Sequence, residues 1–343
     1  MSGSRHVRPS DLRGFARLAV EATAGLTDLV EALHGTIAAG PLTGFVYGSV
    51  RGVTRLVGGG LDAVLGRLEA LLGDQGTSPQ REVVLSALNG VVGDYLAATS
   101  NPLAIPMTLR ERGPRGGRRI AVFLHGLCMS DLQWAPSWNA LGYTPLYLRY
   151  NTGLPIAENG EACADLLETV IAGWPGPVDE LVLVGHSMGG LVARSAQHHA
   201  AGAGRRWSSR LSAMVFLGTP HQGAPLERLA SWLGVLLGAV PYSAPFERLA
   251  RIRSAGITDL RHGNVVGDAR RAVPLPAGVR CFAVAARRDG LVPVASALGL
   301  HPDADRALRL PESHRWIAED MDHLDLLHRP EVQERVRRWL SPE

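Results

Sequence analysis

Four aliphatic residues, Leu181-Val182-Leu183-Val184, run directly into Gly-His-Ser-Met-Gly-Gly (185–190), and Leu-Val-Ala-Arg-Ser-Ala (191–196) follows at once. The first stretch reads as a buried strand and the last as a helix, so the chain between them has room only for a sharp turn. A serine at the apex of such a turn is held in a strained backbone conformation, with its hydroxyl lifted clear of the sheet. Gly185 and Gly189 remove side chains where strand and helix pass closest. The N–H of Met188 opens the helix, has no partner within it, and sits at the positive end of its dipole. It is therefore a candidate donor to an oxyanion formed beside the serine. A bare G-x-S-x-G is common by chance. A strand before it and a helix after it make Ser187 a candidate nucleophile.

The rest of the C-terminal two thirds supports a sheet that presents this turn. Apolar runs at Ile120–Leu124, Thr144–Leu148, Leu181–Val184, Ala213–Leu217 and Val279–Ala286 alternate with helical stretches near 159–172, 188–201 and 330–340. Alternation of this kind predicts a mostly parallel sheet covered by helices, with chemistry at the carboxyl ends of the strands. Residues 11 to about 99 differ, because apolar residues recur there at steps of three and four. They predict three helices, 11–37, 43–72 and 80–97. Gly44, Gly48 and Gly52 put small residues on one face of the second, which suits close helix packing. Arg51, Arg55 and Arg67 interrupt that segment and argue against a membrane span. A Gly/Arg-rich link, Arg110–Arg119, leads into the first strong strand. The expected division is a helical N-terminal region, 1–100, and a sheet-bearing domain, 101–343.

A serine hydroxyl needs a base, and the base needs a carboxylate to hold its tautomer. On an elbow of this type the order along the chain is Ser, acid, His. Asp289 stands in the loop directly after the run Val279–Ala286 and ahead of Gly290, where the acid is expected; the competing reading is a surface carboxylate paired with Arg287 or Arg288. Four late histidines compete as base. His323, in Glu-Asp-Met-Asp-His-Leu-Asp-Leu-Leu (319–327), lies just before the last helix and is preferred. His301 precedes a proline, His314 lies ahead of a short edge strand, and His328 falls at a helix start. The turn Phe123-Leu124-His125-Gly126-Leu127 ends the first strong strand and offers a second oxyanion donor, the N–H of Leu127. His125 fits a role in shaping that loop. Asp131 and His221 also follow strand ends, with loop fixation at least as good a reading as catalysis.

Together FLHGL (123–127), GHSMGG, LGTPHQG (217–223), RRDGLVP (287–293) and DHLDLL resemble the lipase-like α/β-hydrolases. LRYNTGLPIAENG (148–160) and IRSAGITDLRHGN (252–264) resemble more closely their bacterial branch related to GPI inositol-deacylases and triacylglycerol lipases. The resemblance covers about 104–343. It implies an α/β-hydrolase fold with a mostly parallel sheet, a cap insertion after the sixth strand (approximately 222–275), and an N-terminal all-helical extension. It also implies hydrolysis of a hydrophobic or lipid carboxylic ester through Ser187, Asp289 and His323. A GPI substrate does not follow from it. Within the insertion, Leu229–Val240 is apolar, too short to span a bilayer, and suited to an acyl pocket or lid. Two other functions fit the same residues, an acyltransferase using the same triad and a non-catalytic lipid- or protein-binding module on a hydrolase scaffold.

Composition narrows the partners. The formal charge is +3, and the excess lies in residues 1–119, where 13 arginines face 10 acidic residues. That is too sparse for nucleic-acid binding, which needs a dense basic stripe, though it suits a weak contact with an anionic membrane surface through the N-terminal helices or cap. Cys128, Cys163 and Cys281 form no C-x-x-C pair and suggest neither a disulfide frame nor a zinc site. Asp320, Asp322, His323 and Asp325 lack the spacing of a calcium loop. No nucleotide-cofactor fingerprint occurs, so neither a metal nor a cofactor is expected. With no signal peptide recognised, the expected location is cytoplasmic, with peripheral membrane contact as a variant.

Overall fold

Each of the five apolar runs forms a strand in the computed structural model, which describes residues 10, 11, 13, 14, 16–18, 79–113, 115–225, 228, 254–267 and 273–341. Strands β2 (Arg119–Leu124), β3 (Thr144–Arg149), β4 (Glu180–His186), β5 (Leu211–Leu217) and β6 (Arg280–Ala286) are nearly continuous in aliphatic residues and buried on both faces. That is the pattern a parallel sheet between two helical layers demands. Two short strands complete it, β1 (Thr108–Glu111) and β7 (Arg315–Ala318). The seven-stranded order is β1-β3-β2-β4-β5-β6-β7. Among the described residues only β1 is antiparallel, pairing with β3, so the one reversed strand described lies at an edge. Between β5 and β6 the described residues 218–225, 228, 254–267 and 273–279 form no strand, so the insertion expected after the sixth strand follows the fifth among the described residues.

Among the described residues four longer helices accompany the sheet after α1 (Pro79–Ala98): α2 (Ile156–Ala172), α3 (Met188–Gly202), α4 (Ala255–His262) and α5 (Pro330–Leu340). Alternate residues along the strands serve opposite layers. Phe123, Val182, Val184, Val215 and Val284 pack with Trp134, Trp138 and the α5 residues Val332, Val336 and Leu340. Their neighbours Ile120, Val122, Leu181 and Leu183, equally buried, face the layer of α2 and α3. The sheet is thus enclosed on both sides, and the free carboxyl ends of its strands are where loops gather.

The chain divides into two compact units. One comprises residues 1–82 and 96–104, the other 83–95 and 105–343. Within the first, Arg81 holds Asp11 through two bonds of 2.6 Å, and the Asn101 side chain donates to the Gly14 carbonyl at 3.1 Å. Residues 83–95 belong to the unit that holds the sheet. The expected helices over 11–37 and 43–72, the Gly44/Gly48/Gly52 face and the apolar stretch Leu229–Val240 lie wholly or mainly outside the described residues. Among the described residues no helix is long and apolar enough to cross a membrane.

Candidate active site

At the end of β4 the backbone turns through Ser187 with φ 54° and ψ −126°, outside the ordinary regions for a residue bearing a side chain. Such a conformation costs on the order of 1–3 kcal/mol and persists only where its surroundings hold it. Here the Ser187 N–H donates to the Leu217 carbonyl at 2.8 Å, and the Ser187 carbonyl accepts from the Gly190 N–H at 3.1 Å. The neighbouring glycines are sterically required. A Cβ on Gly189 would overlap the Leu124 carbonyl, and one on Gly185 would strike the backbone of Gly189 and Gly190. Ser187 is fully buried, and its Oγ has no hydrogen-bond partner among the described residues.

The loop after β2 lies directly against the serine. A Cβ placed on Gly126 would come within 3.0 Å of Ser187 Cβ. Leu127 follows, then Cys128 with φ 59°, a second strained non-glycine position. The N–H groups of Leu127 and Met188 donate no backbone hydrogen bond among the described residues. The loop is fixed from several sides. Tyr150 Oη donates to the His125 carbonyl at 2.7 Å and the two rings stack 4.4 Å apart. The Cys128 N–H donates to Thr152 Oγ1 at 3.1 Å. From α1, Gly90 abuts Cys128 so closely that any side chain there would collide with Sγ. Burial lowers the His125 pKa to about 4, so its imidazole stays neutral and fits the loop-shaping role.

Asp289 and His323 meet. His323 Nδ1 lies 2.6 Å from Asp289 Oδ2, both side chains being buried. The other carboxylate oxygen accepts the N–H groups of Leu291 at 2.8 Å and Val292 at 2.7 Å, which fixes the plane of the acid. With Nδ1–H donated to the carboxylate, Nε2 is left as the basic nitrogen. The imidazole lies beside Gly218, whose added Cβ would sit 3.1 Å from His323 Cε1, and Gly218 follows the Leu217 carbonyl that anchors Ser187. The loop that carries His323 is tied down as well. Asp322 Oδ1 accepts from the N–H groups of Leu324 and Asp325, and Trp138 Nε1 donates to the Leu327 carbonyl at 2.8 Å.

The competing candidates lie elsewhere. His314 bonds the Cys281 carbonyl at 2.9 Å, at the amino-terminal end of β6. His301 accepts the N–H of Asp303, and His328 is exposed. Arg287 and Arg288 pair with Glu319 and Asp320, not with Asp289. Asp131 is buried between Arg110 and Arg112 at 3.0 and 3.1 Å, where it secures the end of β1 to the loop after β2. His221 receives Arg194 Nη1 at 3.2 Å.

One residue of the site was not singled out from the sequence. His186, next to the serine, meets the His323 carbonyl through Nε2 at 2.9 Å, and the two rings lie 4.7 Å apart. A carbonyl only accepts, so Nε2 carries the proton. Burial, reinforced by the neighbouring His323, pushes the His186 pKa well down and keeps the ring neutral. Its signal was the alternation of β4, since Val182 and Val184 face the layer of Trp138 and α5, and His186 comes next on that face.

A model of the PGAP1-like alpha/beta domain matches residues 161–273. No curated protein matches the chain. Among solved structures it is similar to the mature lipase BlEst2 of Bacillus licheniformis, at 18% identity over 68% of this chain and 97% of that one, with a TM-score of 0.47. A thermophilic esterase from Thermogutta terrifontis is 19% identical over 69% and 93% of the two chains, with a TM-score of 0.43. The Pyrococcus furiosus esterase Pf2001 is 16% identical over 66% and 81%, also at 0.43. The PGAP1-like match runs from within α2 past β5, through the part of the mostly parallel sheet that carries the turn at Ser187, and the chain is in this respect similar to α/β-hydrolases.

Proposed function

We propose that the protein is a serine carboxylic-ester hydrolase in which Ser187, His323 and Asp289 act in sequence. The observation that carries this reading is the 2.6 Å bond between His323 and Asp289, formed beside a serine held at φ 54°. His323 Nε2 takes the proton of Ser187 Oγ as that oxygen attacks the ester carbonyl. The oxyanion that forms is met by the N–H groups of Leu127 and Met188, each donor of this kind contributing about 3–4 kcal/mol to the transition state. His323 returns the proton to the leaving alcohol, and the bond to Asp289 stabilises the imidazolium meanwhile. Water, deprotonated by the same nitrogen, then releases the acid and frees Ser187.

The ester we expect is hydrophobic, a reading supported by the apolar composition of the insertion at Leu229–Val240. Replacing Ser187 by alanine tests the assignment. Purified S187A should keep its fold by circular dichroism and lose turnover of p-nitrophenyl butyrate and laurate; retained turnover would remove Ser187 from the mechanism.

A further inference from the structure

Helix α3 carries a second charged feature that ester hydrolysis does not use. Arg194 lies seven residues after Ser187, ~10 Å further along the helix axis. It is only 5% exposed, yet no carboxylate pairs with it among the described residues. Nη1 meets His221 Nδ1 at 3.2 Å, Nη2 donates to the Val273 carbonyl at 2.5 Å, and Nε has no partner among the described residues. A guanidinium has five N–H donors in a fixed fork, so most of its capacity is unused. His221 accepts at Nδ1 and is neutral, its pKa pushed well down by burial. Cys281 is the acidic group that acts on Arg194 electrostatically, but burial raises that thiol to about 12 and leaves it uncharged. Arg194 itself, lowered to about 10 by burial, remains a cation at neutral pH. A buried charge without a counter-charge is expensive, typically several kcal/mol.

Arg194 and His221 line the inner part of a cavity of about 720 Å³, within the range of small-molecule sites. Its outer part carries the exposed Arg306 and Arg309 and the exposed His262, against one carboxylate among the described residues, Asp305. Arg280 also borders it but is engaged by the Trp339 carbonyl and Glu180. None of Ser187, Asp289 and His323 lines this cavity. The guanidinium fork matches phosphate and carboxylate oxygens in pairs. Two more arginines at the opening favour a ligand with more than one negative charge, which selects phosphate over a monocarboxylate. We propose that this cavity is a second ligand site, separate from the serine, which binds a phosphate group against Arg194. The group belongs either to a soluble phosphomonoester or to a phospholipid headgroup.

Full-length protein titrated with inorganic phosphate, glycerol phosphate and vesicles of equimolar phosphatidylcholine and phosphatidic acid tests this, with KCl holding ionic strength constant. Calorimetry and thermal melting should show saturable binding that KCl does not reproduce. Arg194→Met should weaken it about ten-fold or more, the loss of a charge-assisted hydrogen bond. Should that variant fail to fold, the surface pair R306S/R309S should still weaken binding. Ser187→Ala should bind as the wild type does, which separates this site from the proposed chemistry. Binding of glycerol phosphate identifies a soluble ligand; Arg194-dependent binding of vesicles alone identifies a headgroup. Absence of binding in all three arms, or wild-type binding by both R194M and R306S/R309S, overturns the proposal.

Discussion

Replacing Asp289 by asparagine isolates the step that, in the proposed mechanism, turns His323 into a base. The carboxylate uses all its contacts, since Oδ1 accepts two backbone N–H groups at 2.8 and 2.7 Å and Oδ2 faces His323 Nδ1 at 2.6 Å. An asparagine has one acceptor oxygen. Turning that oxygen towards His323 would set the amide NH2 against two backbone donors and strand both in a buried site, at about 1–3 kcal/mol each. The oxygen therefore stays with Leu291 and Val292, and the NH2 faces Nδ1. His323 must then present Nδ1 as acceptor and carry its proton on Nε2, where it cannot take one from Ser187. The equivalent change in a Ser-His-Asp triad lowers kcat by about 10⁴, close to 5.5 kcal/mol of barrier. Steady-state hydrolysis of p-nitrophenyl butyrate by D289N should show that loss in kcat with KM little changed and the melting temperature near that of the wild type. Activity within about ten-fold of the wild type, a barrier change near 1.4 kcal/mol, would refute the role given to Asp289.

Three further perturbations follow from the same geometry. His186→Ala removes the donor to the His323 carbonyl; kcat should fall roughly ten-fold while labelling of Ser187 persists at a lower rate, a loss of about 1.4 kcal/mol in base positioning. Asp131→Asn takes the charge from between Arg110 and Arg112, and its melting temperature should drop by an amount corresponding to about 1–3 kcal/mol without comparable loss of kcat, because the residue secures β1 and touches no reacting atom. Acid should unfold the protein steeply. His125, His186 and His221 all have pKa values below the ordinary 6.5, His125 at about 4, because they are buried. The unfolded chain binds protons at these positions below pH 6.5 and the folded chain does not, so stability is full above that pH and is lost as pH falls towards 4. Each contributes up to about 1.4 kcal/mol per pH unit, and denaturant titrations at pH 7, 6 and 5 that give equal stability would contradict it.

The sequence made the sheet and its elbow legible because both depend on local pattern. Runs of aliphatic residues buried on two faces have no other reading in a chain of alternating helices, and all five formed strands within two residues of their expected ends. β1 escaped because Thr-Leu-Arg-Glu is half exposed at an edge and has no apolar signature. Asp289 and His323 were legible through chain order and loop position, but their meeting is a tertiary fact 34 residues long. What the sequence hid is the support. Cys128 adopts φ 59° within reach of Gly90 on α1, and nothing in either segment signals the other. The same holds for Arg194, an unremarkable helix residue in the sequence that becomes a buried cation once β5, α3 and the chain at Val273 converge.

The central claim is that Ser187 is a nucleophile activated by its surroundings, and covalent capture tests that most directly. Full-length protein treated with a fluorophosphonate probe, digested and mapped by mass spectrometry should carry one adduct, on the peptide containing Ser187. Labelling should vanish in S187A and slow sharply in D289N. An adduct elsewhere, or none on folded native protein, would contradict the account.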